Sequence, residues 1–179
     1  FIGMSLGAWV CAATAVSHPE RVDRMILMSP AGLIATASNM ARIRAERTAA
    51  VQNPTWDSIH KVFAHLIAEE ANRLPDLIAL RQAIYRRDDT RETIDRLLIL
   101  QDAEARDRNL IPEEAWKTIQ TPTLVVAAGK DHSEYMSTAR TVSRLIPDSD
   151  VLEMPGVAHW PHFEDPATVK LLYGENDGH

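Results

Sequence analysis

Phe1-Ile2-Gly3-Met4-Ser5-Leu6-Gly7-Ala8 opens the chain, and its reading decides the rest. The core of the stretch is G-x-S-x-G with Ser5 at its centre. Such a stretch forms the sharp turn between a buried strand and a helix, where a serine can be presented as a nucleophile. Gly3 and Gly7 are expected to supply the space the turn needs, with Ala8 continuing the small-residue run. The backbone N–H of Leu6, at the helix N-terminus, is placed to meet a developing oxyanion. The competing reading is a serine that merely caps its helix.

The strand and helix of that turn have partners further along. Ser5 to Ser17 is alanine-rich and free of proline, and it reads as a helix that ends before His18-Pro19-Glu20. Arg24 to Met28 is a short apolar run closed by Ser29-Pro30-Ala31-Gly32, so it reads as a buried strand. Thr123 to Ala128 is a second such run, and Asp150 to Met154 a weaker third. Glu134 to Leu145 is helical in pattern and is closed by Pro147. Strands alternating with helices imply an α/β fold, a parallel sheet with helices on both faces.

Residues 33–117 are different. Met40 to Val51, Trp56 to Asn72, Pro75 to Arg86 and Arg91 to Ala105 are charged, amphipathic and helical in spacing, with no convincing strand among them. An all-helical insert of this kind reads as a lid, flanked by core segments 1–32 and 118–179. Three strands and a possible fourth at Phe1-Ile2 make a small sheet with an open edge. The expectation is therefore a C-terminal part of a larger domain, with further strands ahead of Phe1.

Composition narrows the class of function. At 179 residues, with 45% hydrophobic and 25% charged side chains, the chain suits a soluble globular domain. A net charge of -6 argues against nucleic acid as the main partner. The single cysteine, Cys11, rules out an internal disulfide and a cysteine-based zinc cluster. It fits a reducing, cytoplasmic setting. No apolar run approaches the ~18–20 residues that span a bilayer, so no membrane role is expected. The opening residues do not read as an export signal.

A nucleophilic serine needs a base and an orienting acid. His159 lies in Pro155-Gly156-Val157-Ala158-His159-Trp160, just after the last strand, where sites form in parallel sheets. His162 is its rival. His60 and His65 fall on the helical insert and His18 at a helix end, so these read as surface or packing residues. Asp131 follows the strand at 123–128 directly and can serve as the acid. Its bland reading is an aspartate in a polar turn. Asp148 and Asp150 read as turn residues. Ser5, Asp131 and His159 each follow a strand, in the chain order of the α/β-hydrolase triad.

From the elbow onward the sequence resembles an α/β-hydrolase, and within that superfamily the meta-cleavage-product hydrolases, serine enzymes that cleave carbon–carbon bonds in aromatic-degradation pathways. The resemblance rests on Gly3-Met4-Ser5-Leu6-Gly7, on His18 to Val22 leading into Met25 to Leu33, on Leu80-Arg81-Gln82-Ala83-Ile84-Tyr85, on Thr121 to Val126, and on Gly156 to Trp160. It implies that Arg81 handles the carboxylate and dienol end of the substrate, that Trp160 packs on the substrate, and that Met4, where the family usually has asparagine, lines the site. It implies no metal and no organic cofactor, a small-molecule substrate, and the homo-oligomers common in that family.

Three departures from the family pattern stand out: Met4, the Gly7-Ala8 pair in place of two glycines, and Asp131 lying two residues after Gly129 rather than three, which would set His132 in the acid's place. A carboxylate orients an imidazolium and a histidine does not, so Asp131 is preferred. Ser5 disfavours the hydrolases that use an aspartate nucleophile. An ester or lactone hydrolase and a non-catalytic hydrolase-like module are the other readings. The oxyanion hole's second donor normally comes from an earlier loop, so the chain by itself is expected to be a poor catalyst.

Overall fold

The computed structural model describes residues 1–130 and 133–174. They divide into two compact units, an α/β unit (1–34 and 111 onward) and a helical unit (35–110).

The α/β unit is built on four parallel strands in the order β1-β2-β3-β4. These are β1 (Ile2–Met4), β2 (Met25–Met28), β3 (Thr123–Ala128) and β4 (Ser149–Met154). The register aligns Met4 with Met28, Met28 with Val126 and Val126 with Leu152, so the four strands finish at the same edge, β3 and β4 two residues further on than β1 and β2. β3 is apolar throughout and its last four residues, Val125 to Ala128, are fully buried. That is the pattern of a strand covered on both faces.

Helix α1 (Leu6–Ser17) follows β1 and packs on β1 and β2. Its buried residues are small, Ala8, Ala12 and Ala15 with Trp9 and Cys11, which lets the helix lie close to the sheet. The helix stops where the sequence indicates: His18 donates its N–H to Thr14, and Pro19–Arg21 form a single 3₁₀ turn. In the chain's later part, the short α7 (Glu113–Trp116) precedes β3, and α8 (Ser133–Leu145) packs on β3 and β4. A sheet that steps always in the same direction, joined by right-handed crossovers, carries such helices on one face. The other face holds Met28, Val126, Ala128 and Met154 in one apolar cluster with Val157 and with Val169 of α10 (Pro166–Gly174).

The helical unit contains α2 (Ala37–Gln52), α3 (Trp56–Ala64), α4 (Pro75–Tyr85), α5 (Asp88–Leu97) and α6 (Ala103–Asp107). Its core is Val51, Ile59, Val62, Phe63, Ile67 and Ile78.

Two helices expected from spacing are interrupted. The one expected over 56–72 ends at Ala64, because Leu66 and Ile67 both turn inward, each donating its N–H to the Phe63 carbonyl. The Arg73 guanidinium then takes the Ile67 and Ala68 carbonyls, replacing the lost helical bonds at 3.0 Å each. The one expected over 91–105 breaks at Leu98, whose carbonyl accepts from Arg44. Asp102 starts a new helix by accepting the Ala105 N–H at 2.9 Å, an N-cap that periodicity alone does not reveal.

Candidate active site

Ser5 stands at the point where β1 becomes α1. Its backbone has φ 52 and ψ −114, a region that a residue with a Cβ rarely occupies. Three backbone bonds hold it there: its N–H donates to the Met28 carbonyl at 2.9 Å, and its carbonyl accepts from Trp9 and from Ala31 at 3.2 Å each. The strained residue is thus pinned from its own helix and from the loop after β2. Strain of this kind costs ~1–3 kcal/mol and persists only where surroundings enforce it.

The serine does not cap its helix. Its side chain makes no capping bond, and among the described residues Oγ has no hydrogen-bond partner. That removes the bland alternative for Ser5. Leu6, as the first residue of α1, has no intrahelical acceptor for its N–H, so the donor is free to serve a ligand.

The two glycines of the motif differ. A Cβ on Gly3 would sit 2.4 Å from the Gly7 carbonyl oxygen, an impossible approach, so the strand can lie against the helix only with glycine there. A Cβ on Gly7 would meet nothing within 4 Å. The turn therefore requires Gly3, and Gly7 is not needed for space as the motif suggested. Met4 packs against the apolar cluster of Met28 and Val126 on the sheet's face. It is partly buried there.

The loops after β2, β3 and β4 all leave at the edge where Ser5 stands. After β2, Ser29 also has positive φ (41) and donates its N–H to Val126, and Gly32 (φ 100) lies so close to Trp9 that a Cβ would meet the indole at 2.5 Å. After β3, Gly129 donates to Met154 and Lys130 to Val157, each at 2.8 Å, which ties the ends of β3 and β4 together. A Cβ on Gly129 would strike the Pro155 backbone at 2.3 Å, so this junction too depends on glycine. Asp131 and the neighbouring His132 lie outside the described residues.

His159 is buried, with 7% of its surface exposed, and its ring lies 4.5 Å from that of Tyr135 on α8. The loop that carries it is fastened by Glu164, whose carboxylate accepts the Ala158 N–H at 2.6 Å. His162 sits in α9 (Pro161–Glu164) with its side chain exposed; partial desolvation chiefly, and then the nearby His159, hold its pKa below the ordinary imidazole value. Trp160 precedes α9 and meets Phe163 edge-on, with 6.2 Å between ring centres, and His162 at the same distance. These contacts of Tyr135, Glu164 and Phe163 were missed from sequence, since nothing in their local spacing marks them.

Strand spacing sets the span between these loops. Neighbouring strands lie about 4.8 Å apart, so β1 and β4 are separated by roughly 14 Å. The loop after β4 does not cross that span extended: it turns at once, the Val157 N–H donating to the Met154 carbonyl at 3.4 Å and the Val157 carbonyl accepting from Lys130 at 2.8 Å.

Arg81 belongs to the helical unit. Its guanidinium lies over the Phe63 ring at 5.1 Å and the Tyr85 ring at 5.7 Å, and its Nη1 donates to the Tyr85 hydroxyl at 3.4 Å. This is a packed arginine, unlike its exposed neighbour Arg87, which pairs with Asp89 at the surface. Arg47 of α2 donates to the same hydroxyl at 3.4 Å. Burial pushes the Tyr85 phenol up, but the charges and hydrogen bonds of Arg47 and Arg81 together outweigh it, and its pKa is lowered. His60 and His65 of this unit pair with Glu70 and Glu46, at 4.0 and 3.2 Å. Among the described residues no three His, Cys, Asp or Glu side chains gather as a metal site requires, and no helix is long and apolar enough to cross a membrane.

Comparison with known families places this architecture. The model of the alpha/beta hydrolase family matches residues 1–170. The chain belongs to that family. Solved structures agree on the fold. A single-site variant of the meta-cleavage product hydrolase CumD from Pseudomonas fluorescens IP01 superposes with a TM-score of 0.79 at 20% identity, over 96% of this chain and 61% of that one. The 2-hydroxy-6-oxo-6-phenylhexa-2,4-dienoate hydrolase of Rhodococcus sp. strain RHA1 gives 0.81 at 17% identity, over 96% and 61%. An N-acyl homoserine lactone degrading enzyme gives 0.68 at 22%, over 98% and 66%. The chain thus spans about three fifths of the length of these two hydrolases. No curated protein matches it in a sequence search.

Proposed function

We propose that this α/β-hydrolase is, in its whole form, a serine hydrolase with Ser5 as nucleophile, His159 as base and Asp131 as the acid that orients His159. The observation that carries the reading is the Ser5 turn. A strained, pinned serine with an uncommitted hydroxyl at a helix N-terminus has no structural purpose, whereas a nucleophile needs that exposure. The proposed substrate is a 2-hydroxy-6-oxo-dienoate cleaved at a carbon–carbon bond, with the helical unit as its lid. The sequence resemblance and the family membership support this reading.

In the proposed reaction His159 first shuttles a proton as the dienol becomes a ketone. Ser5 Oγ then attacks the ketone carbon while its proton passes to His159, and the Leu6 N–H receives the developing oxyanion. The carbon–carbon bond breaks, and its electron pair takes the proton back from His159. Water, deprotonated by His159, releases the acyl group from Ser5 as a carboxylic acid. Arg81 holds the carboxylate of the substrate, and Trp160 packs on its apolar part. A missing Ser5–His159 hydrogen bond before substrate binds is ordinary, since such bonds tighten on the substrate.

The test is labelling of the natural protein with a fluorophosphonate, followed by assay of a dienone acid against a simple ester. The expected result is label on Ser5 and turnover of the acid, with kcat falling on the order of a million-fold in Ser5→Ala. Turnover of the ester alone would replace the carbon–carbon reading with that of an ester or lactone hydrolase. An unlabelled Ser5 would overturn the serine mechanism and favour a non-catalytic module.

A further inference from the structure

The helical unit holds an arrangement that neither the triad nor Arg81 alone explains. Arg47 on α2 and Arg81 on α4 both donate to one atom, the Tyr85 hydroxyl, at 3.4 Å each. Their donor nitrogens are therefore no more than about 7 Å apart. Among the described residues neither guanidinium has a carboxylate partner. Other arginines of the unit do: Arg42 pairs with Glu46 at 3.0 Å, Arg44 with Asp95 at 3.7 Å and Arg91 with Asp88 at 3.5 Å. Two half-buried cations held close without a counter-ion repel each other, and a neutral phenol offsets little of that. Each guanidinium carries five donors and uses one on Tyr85.

Tyr85 itself is buried, with 7% of its surface exposed, and Arg81 is stacked on Phe63. The pair is thus fixed in place by packing, not left to sample the solvent. The charges and hydrogen bonds of the two arginines lower the pKa of Tyr85 against the effect of its burial.

We infer that Arg47 and Tyr85 form, with Arg81, a two-guanidinium receptor for the carboxylate of an organic acid. The carboxylate is planar and takes parallel N–H donors from guanidinium forks. Tyr85 positions both forks by accepting from each. This deepens the role given above to Arg81 and rests on that reading only for the identity of the acid. It adds Arg47, on a different helix, as a second charge that decides for an acidic substrate over a neutral one.

The test is titration of the full chain with benzoate, followed by calorimetry and by NMR of the arginine Nε–H signals. Saturable binding that shifts both Arg47 and Arg81 is expected, with benzamide inert and inorganic phosphate much weaker. Arg47→Gln should weaken benzoate at least tenfold without changing the melting temperature by more than a few degrees. Arg47→Lys, which keeps the charge, should recover part of the loss. The inference fails if benzoate leaves the Arg47 signal unmoved, if Arg47→Gln binds it as well as the parent, or if phosphate binds equally well. Labelling of Ser5 by a fluorophosphonate, measured on the parent protein, judges the serine mechanism separately.

Discussion

Val125 to Ala128 of the α/β unit touch no solvent and carry no charge, and the residues that turn out of the sheet beside them are held by main-chain bonds. In the helical unit the connections run through side chains. Arg73 closes the end of α3, Arg44 holds the carbonyl of Leu98, Gln82 donates to the Pro54 carbonyl at 2.8 Å, and Glu46 stands between Arg42 and His65, 3.0 and 3.2 Å from them. The difference teaches where each unit is vulnerable. A parallel sheet places its functional residues by backbone geometry at strand ends, so a single atom of crowding there is severe. A helical unit joined by arginine forks spreads its stability over many contacts, each worth little.

The sharpest way to break this comparison is at Gly3. Gly3→Ala puts a methyl group into the Gly7 carbonyl and should cost about 3 kcal/mol or prevent folding, whereas Gly7→Ala should be nearly neutral. Chemical denaturation of both variants decides it; equal costs would mean that the turn is set by the motif as a whole and not by one close approach. Ser5→Gly comes next. It relieves the positive φ at the turn, so the protein should gain about 1 kcal/mol of stability while losing the proposed nucleophile. A loss of stability would show that the Ser5 side chain supports the fold.

The smallest effect is expected in the helical unit, at Asp102→Ala. Removing this cap should cost about 1 kcal/mol and fray α6, read as faster hydrogen exchange at Ala105 and Arg106, with the sheet unaffected. Exchange rising equally in β3 would show that the two units unfold as one.

Much of the α/β unit was legible because its signals are local. Three strands, the helix after Ser5 and its stop at Pro19 follow from apolar runs and proline, and the edge at which Ser5 stands and the loop of His159 leaves the sheet follows from parallel topology. The breaks at Ala64 and Leu98 were not legible. Both depend on an arginine or a capping aspartate satisfying carbonyls and N–H groups that a continuous helix would have used itself, and periodicity carries no information about such bonds. The packing of Met4 was not legible for a similar reason: a residue at a strand end lies on one or the other face, and packing against Met28 fixes which.

The order of residues by itself determined which chemistry the chain can carry: a serine between a strand and a helix, a histidine and an aspartate after later strands, and an all-helical insert between two halves of a sheet. Those features are written in spacing and residue type. Only the tertiary structure decided that Ser5 is strained and uncommitted, that Gly3 and not Gly7 makes room for the turn, and that Arg47 and Arg81 converge on Tyr85 from different helices. Each of these is a distance between residues that sequence spacing does not fix, because packing and not chain connectivity brings such atoms together.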